Sequence, residues 1–256
     1  MKVTFLGTGT SQGVPVIACH CAVCRSTDPR DRRLRCSIMI ELGSQRYVID
    51  CGPDFRQQML QEKVDSIDAI LVTHAHRDHL GGLDDVRAFN YVLREPTPVY
   101  ATSEVQDQIR REYNYAFEGD RYPGVPEIEL HTITNLPFMI GDVEITPIKA
   151  IHYHDDQFVF GFRILDFTYL TDVFRISDEE KEKIRGSRTV VVNALRKQKH
   201  YSHMNLDEAV ALLKDLNPER GFLTHISHQM GRYAEVETEL PKNIFLAWDR
   251  LTLELP

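Results

Sequence analysis

The stretch AILVTHAHRDH, residues 69–79, constrains this chain more than any other. Its first half is a short unbroken apolar run, the pattern of a strand buried on both faces. Its second half sets four metal-ligating side chains, His74, His76, Asp78 and His79, within six positions. Residues two apart on an extended segment project to the same side, so His74 and His76 can serve one ion. Asp78 and His79 lie far enough along a turn to face a second. Imidazole suits zinc, iron or manganese-type ions, and a carboxylate hardens the site towards cations that activate water. A strand end of this kind is where an α/β scaffold carries its chemistry.

The remaining pattern agrees with such a scaffold. Val3 to Gly7 reads as a strand closing into the turn GTGTSQG, and SIMIEL and RYVIDCG flank Gly43-Ser44-Gln45 as a hairpin. Helical spacing runs through Leu83, Val86, Phe89 and Val92/Leu93. SEVQDQIRREY opens with Ser103 as an expected N-cap, and NLDEAVALLKDL pairs Asn205 with Glu208 in capping-box spacing. Residues 128–171 are strand-rich (IELHTI, DVEITPIK, FVFGFRI, FTYLTD), and TVVVNAL and GFLTHI bracket the capped helix. Strands with helices interspersed in both halves predict an α/β architecture of two sheets covered by outer helices. With no internal repeat, low-complexity tract or obvious linker, residues 1–256 are read as a single domain.

Bulk properties narrow the function classes. No apolar run approaches the roughly 18 residues of a membrane span. The N-terminus lacks the apolar region of a signal peptide, so a cytoplasmic protein with no membrane partner is expected. A formal net charge of −8 argues against a broad footprint for long nucleic acid. It leaves room for a small anionic substrate, because a bound metal inverts the local field.

In a reducing compartment, clustered cysteines point to metal or redox chemistry. CHCAVC, residues 19–24, holds Cys19, Cys21 and Cys24, one ligand short of a closed tetrahedral zinc site. His20 is a rival fourth ligand, but it lies between two of the cysteines, where wrapping one ion is strained. A redox pair at Cys21 and Cys24 needs a thioredoxin-like context that the sequence lacks. Cys36 and Cys51 lie in or beside strand-like runs and read as packing.

HAHRDH, with GTGTSQGVP before it and HDDQFVFGFRI, FTYLTDV and LTHISHQ after it, resembles the metallo-β-lactamase superfamily with its HxHxDH signature. The resemblance covers nearly the whole chain and is nearest to the PhnP branch, related to tRNase Z. It implies an αββα sandwich of two mixed sheets flanked by helices. It also implies a dinuclear site: one ion on His74, His76 and His154, the other on Asp78, His79 and His225, with Asp172 bridging. Spacing to Gly161 favours His154 over His152 as the third histidine. By the same resemblance His228 completes a structural zinc with Cys19, Cys21 and Cys24, and His203 matches a non-ligand histidine that opens the capped helix.

The expected reaction is that of a metal-dependent phosphodiesterase on a small or cyclic ribose phosphodiester. Two divalent ions, zinc, manganese or nickel, share a water and lower its pKa. Their charge of +4, less three for Asp78, Asp172 and a bridging hydroxide, leaves +1 for a phosphodiester monoanion. The hydroxide attacks phosphorus in line with the leaving alkoxide, and His203 is the expected general acid or phosphate-oxygen stabiliser. Asp78 and Asp172 act beside it as ligands. A tRNase Z-like endoribonuclease usually adds a tRNA-gripping arm and a basic surface, which this chain lacks. A glyoxalase II-like thioesterase lacks the cysteine cluster. A non-enzymatic metal-dependent binding module would not need every ligand position filled. The family also admits a homodimer. The aromatic stretch 113–127 reads equally as a lid or as a packed surface loop.

Overall fold

A computed structural model of the chain describes residues 1–119, 123–153 and 157–256. They fall into two compact units: Met1–Gly7, Arg35–Thr134 and Arg250–Pro256 form the first, Thr8–Leu34 and Asn135–Asp249 the second. Three residues of the 113–127 stretch, 120–122, lie outside the described residues.

Among the described residues of the first unit, seven strands form one mixed sheet. They are β1 (Lys2–Gly7), β2 (Ser37–Leu42), β3 (Gln45–Ile49), β4 (Ala69–Leu71), β5 (Thr97–Ala101) and β6 (Ile128–Thr132), with the chain's last strand, β14 (Thr252–Glu254), on the far edge beside β1. β14, β1, β2 and β3 pair antiparallel; β3 to β6 pair parallel. The hairpin turn is two residues, Gly43 and Ser44, because Gln45 already pairs with Leu42. Gly43 takes the left-handed conformation at φ +62°, which a glycine adopts without a side-chain clash. β4 is buried along its whole length, as its unbroken apolar run requires.

The helices of this unit are α1 (Phe55–Glu62), α2 (Arg77–Leu80), α3 (Arg87–Leu93), α4 (Ser103–Glu112) and α5 (Asn114–Phe117). Phe55 and Met59 of α1, Phe89 of α3 and Val105 and Ile109 of α4 join Met39, Val48, Ile70 and Val99 of the sheet in one apolar cluster. The helical spacing over 83–93 is realised as a 3-10 turn, Leu83–Val86, followed by α3. The cap of α4 is Thr102, not Ser103: the Thr102 hydroxyl accepts the Val105 N–H, and Ser103 is already helical. Both residues are good caps, and the strand preceding them decides which one keeps extended dihedrals.

The second unit holds β7 (Phe138–Ile140), β8 (Val143–Tyr153), β9 (Gln157–Ile164), β10 (Phe167–Tyr169), β11 (Thr189–Asn193), β12 (Arg220–Thr224) and β13 (Ile244–Leu246), in that order across its sheet. β7 to β10 are antiparallel and β10 to β13 parallel. Its helices are α6 (Asp178–Ile184), α7 (Leu206–Leu216) and α8 (Tyr233–Val236). α7 carries the expected capping box, with Asn205 accepting from Glu208 N–H and the Glu208 carboxylate accepting from Asn205 N–H. Ser177 caps α6, which leaves Asp172 without a capping role. Leu212, Leu213 and Leu216 of α7 pack with Val190 and Val192 of β11 and Leu223 of β12. No described helix is long and apolar enough to cross a membrane.

Asp249 ties the N-terminal turn of this unit to its C-terminal end. Its carboxylate accepts the Thr8 N–H (2.9 Å), the Thr8 hydroxyl (2.7 Å) and the Leu34 N–H (2.6 Å). Burial outweighs these donors and raises the carboxyl from 3.8 to about 6. The folded chain therefore binds this proton more tightly than the unfolded chain does. The stability that the group contributes is complete below about pH 4 and is lost as pH rises to about 6, on the order of 2–3 kcal/mol. Urea unfolding of wild type and Asp249→Asn across pH 4–7 should show that loss in wild type and a flatter profile in the variant. Parallel profiles would contradict it.

Candidate metal centres

In the first unit the ligand loop leaves β4 through Val72 and Thr73. His74 is buried and His76 exposed, and their ring centroids are 4.6 Å apart. Asp78 and His79 sit on the single turn of α2. His79 Nε2 lies 3.2 Å from Asp78 Oδ2. Two donor atoms on one tetrahedral zinc stand about 3.3–3.8 Å apart, given bonds of about 2.0–2.3 Å, so this spacing is close to that of two ligands of one ion.

A residue not singled out in the sequence sets this geometry. Asp50, fully buried at the end of β3, accepts the His79 Nδ1–H at 2.7 Å, the Thr73 N–H at 2.8 Å and the Thr73 hydroxyl at 2.9 Å. Burial pushes its carboxyl above the usual range, and the neighbouring His79 pulls it back. The carboxylate holds the proton on Nδ1 and turns the Nε2 lone pair towards Asp78, as second-sphere carboxylates do for metal-bound histidine. The backbone there is tight: a Cβ on Gly52 would come within 2.0 Å of the Asp78 carbonyl oxygen. The only sequence signal was an aspartate closing the strand RYVID.

In the second unit His152 is the penultimate residue of β8. Its Nδ1–H donates to the Asp172 carbonyl oxygen at 2.7 Å, leaving Nε2 as the lone-pair atom. Asp172 Oδ1 accepts the His203 Nε2–H at 2.9 Å and lies 3.3 Å from His225 Nε2, again a ligand-pair distance. Asp172 Oδ2 accepts the Thr171 hydroxyl, and the Ser202 hydroxyl lies 2.8 Å from His203 Nδ1. Donor atoms of His152, Asp172 and His203 all lie within 4.8 Å of one another.

His154, which spacing favoured, lies outside the described residues; the imidazole standing beside Asp172 is His152. The β8–β9 register is irregular between Ile151 and Tyr153, beside His152. Asp50, Asp172 and His225 share another mark: each has positive φ (65°, 59° and 54°) just past a strand. Non-glycine residues in that region cost about 1–3 kcal/mol each, and such strain gathers at functional positions.

The cysteine cluster belongs wholly to the second unit. Cys19, Cys21 and Cys24 place their Sγ atoms 3.2, 3.4 and 3.5 Å from His228 Nδ1. One imidazole nitrogen has one lone pair and cannot accept from three thiols. The convergence matches a Cys₃His coordination sphere, and the donor set suits zinc. The Cys24 N–H bond to Cys21 lowers that thiol to about 6, while burial pushes Cys24 up to about 11. Cys36 and Cys51 are buried in the core, as expected.

A model of the Beta-lactamase superfamily domain matches residues 45–226. The chain belongs to this superfamily. Among solved structures, a diphosphatase from the PhnP family aligns over 100% of this chain and 98% of its own, with a TM-score of 0.92 and 36% identity. The two seven-stranded sheets are thus those of the metallo-β-lactamase fold, and the chain is PhnP-like. An octanoyltransferase of Porphyromonas gingivalis is 38% identical over 254 residues, 98% of this chain and 51% of that protein. A ribonuclease Z of Nostoc punctiforme is 27% identical over 170 residues, 65% of this chain and 47% of that protein. The chain spans about half the length of these curated relatives. The histidine–aspartate clusters bring together donor atoms of the kind that suits divalent ions.

Asp50→Asn removes the carboxylate that selects the His79 tautomer. The variant should lose about 1–3 kcal/mol in urea unfolding. In ¹⁵N spectra its His79 should populate both neutral tautomers. An unchanged His79 signature would contradict the positioning role.

Proposed function

We propose that this chain is a dinuclear metal-dependent phosphodiesterase that hydrolyses a small or cyclic ribose phosphodiester. The observation that carries this reading is Asp172, a buried carboxylate in a strained backbone whose Oδ1 faces both His203 and His225. One ion is assigned to His74, His76 and His152, the other to Asp78, His79 and His225, with Asp172 shared. His152 is taken as the third histidine because its Nδ1–H bond to the Asp172 carbonyl leaves Nε2 as the lone-pair atom; His154, the spacing-favoured alternative, lies outside the described residues. Support comes from the superfamily's ligand pattern and from the ligand-pair spacing found separately in each unit. When bound, divalent ions supply an activated water and positive charge for the phosphate. Zinc, manganese and nickel all suit these donors.

The protein's own groups do the rest. The Asp172 carboxylate accepts the His203 Nε2–H, and the Ser202 hydroxyl oxygen stands where it can accept the Nδ1–H of the protonated ring. As the imidazolium, His203 gives its Nε2 proton to the departing alkoxide, a poor leaving group near neutral pH, and is left neutral with the proton on Nδ1. The Cys19, Cys21, Cys24 and His228 set holds a structural zinc. It cross-links the N-terminal loop to the segment bearing His225, three residues before His228.

Likeness to ribonuclease Z supports the same chemistry, but a net charge of −8 disfavours long RNA as substrate. A thioesterase remains the alternative if diester hydrolysis fails. Octanoyl transfer is not carried over, because about half of that relative lies outside the match.

Asp172→Ala should abolish hydrolysis of bis(p-nitrophenyl) phosphate, and retention of activity would overturn the assignment. His203→Ala should lose about 10²–10⁴ in rate with an alkyl leaving group and far less with p-nitrophenolate, which needs no proton. Equal losses would contradict the acid role. Cys19→Ser and His228→Ala should each lose one zinc per chain by elemental analysis and unfold at lower temperature. Unchanged zinc content would remove the structural site.

A further inference from the structure

Beside His203 stands an aromatic group with no part in the chemistry above. Tyr201 is 69% exposed, unusual for a large ring so near a polar cluster. One face is backed by His200, whose ring stacks on it at 4.3 Å and 28°. Tyr153, the residue after His152, meets it edge-on at 5.4 Å. His200 is itself held, its Nδ1 lying 3.2 Å from the Ser202 hydroxyl. The Tyr201 ring is thus braced by two neighbouring rings while most of the residue stays open to water.

Its place relative to the proposed acid is specific. His200 and His203 ring centroids are 5.2 Å apart, and His203 Nε2 reaches Asp172 Oδ1 at 2.9 Å. Asp172, His203, His200 and Tyr201 form a run of neighbouring groups, so the exposed ring belongs to the same cluster as the proposed acid. Around the ring the chain is basic, with Arg196, Lys197 and Lys199 preceding it. Lys197 is paired with Glu239, and Lys199 is exposed.

We propose that Tyr201, braced by His200 and Tyr153, is a stacking shelf for a nucleobase, so that the preferred substrates are phosphodiesters carrying a nucleoside. The inference rests on the phosphodiesterase reading and adds the substrate's non-reacting half. A braced ring loses little conformational freedom when a base settles on it. Base–aromatic stacking is worth about 1–3 kcal/mol, or roughly 5- to 150-fold in affinity.

Calorimetry on the metal-loaded protein tests the shelf without turnover, using adenosine 5′-monophosphate and ribose 5-phosphate as probes. Wild type should bind the nucleotide about tenfold more tightly or better. Tyr201→Ala should erase that preference while leaving ribose 5-phosphate affinity in place, and Tyr201→Phe should keep it. Equal affinity for both probes in wild type, a preference that survives in Tyr201→Ala, or equal weakening of both probes would each overturn the shelf. Diester hydrolysis by wild type is scored separately. Hydrolysis without base preference removes the shelf alone, and Tyr201-dependent nucleotide binding without hydrolysis removes the phosphodiesterase reading alone.

Discussion

A carboxylate drawn out of water must find donors or a cation, and this chain places three just past strand ends, two fully buried and one half-buried. Asp50 follows β3, Asp172 follows β10 and Asp249 follows β13. Asp249 is satisfied by Thr8 and Leu34 and acts as a clasp. Asp50 is satisfied by Thr73 and by a histidine that it aims. Asp172 differs, since its Oδ1 faces two imidazoles, one of them at a metal-ligand distance. The cost of burying this third carboxylate is met most naturally by a divalent ion, and the proposed chemistry follows from that need.

The parallel strands of each sheet explain where these groups sit. β4 is buried throughout and β12 from Gly221 onward, so the first ligating residues appear where the strand stops. His74 and His225 are those residues. The turn must be abrupt, and positive φ at Asp50, Asp172 and His225 is how the backbone achieves it without glycine. His225 and His228 lie on one loop, so a zinc on the cysteines would steady the strained segment beside the catalytic ligands.

Much of this was legible in the residues. The apolar run before HAHRDH predicted β4, the Asn205–Glu208 pair predicted the capping box, and the resemblance of LTHISHQ to the PhnP branch joined His228 to the cysteines of CHCAVC, four donors that lie together. What escaped were features decided by packing. Asp50 reads as an ordinary strand-ending aspartate until its contact with His79 is seen, a contact across 29 residues. The contact of His152 with Asp172 is set by how β8 pairs with its neighbours, with a register irregularity between Ile151 and Tyr153 that no spacing rule contains. Thr102 displaced Ser103 as a cap because adjacent hydroxyl residues differ only in where the strand lets go.

The most direct test is anomalous diffraction at the zinc edge from crystals of zinc-loaded protein. The account predicts three peaks: one bonded to Cys19, Cys21, Cys24 and His228, and two among His74, His76, Asp78, His79, His152, Asp172 and His225. A single peak at the cysteines, with none at Asp172, would contradict the dinuclear hydrolase and leave a folded scaffold with one structural ion.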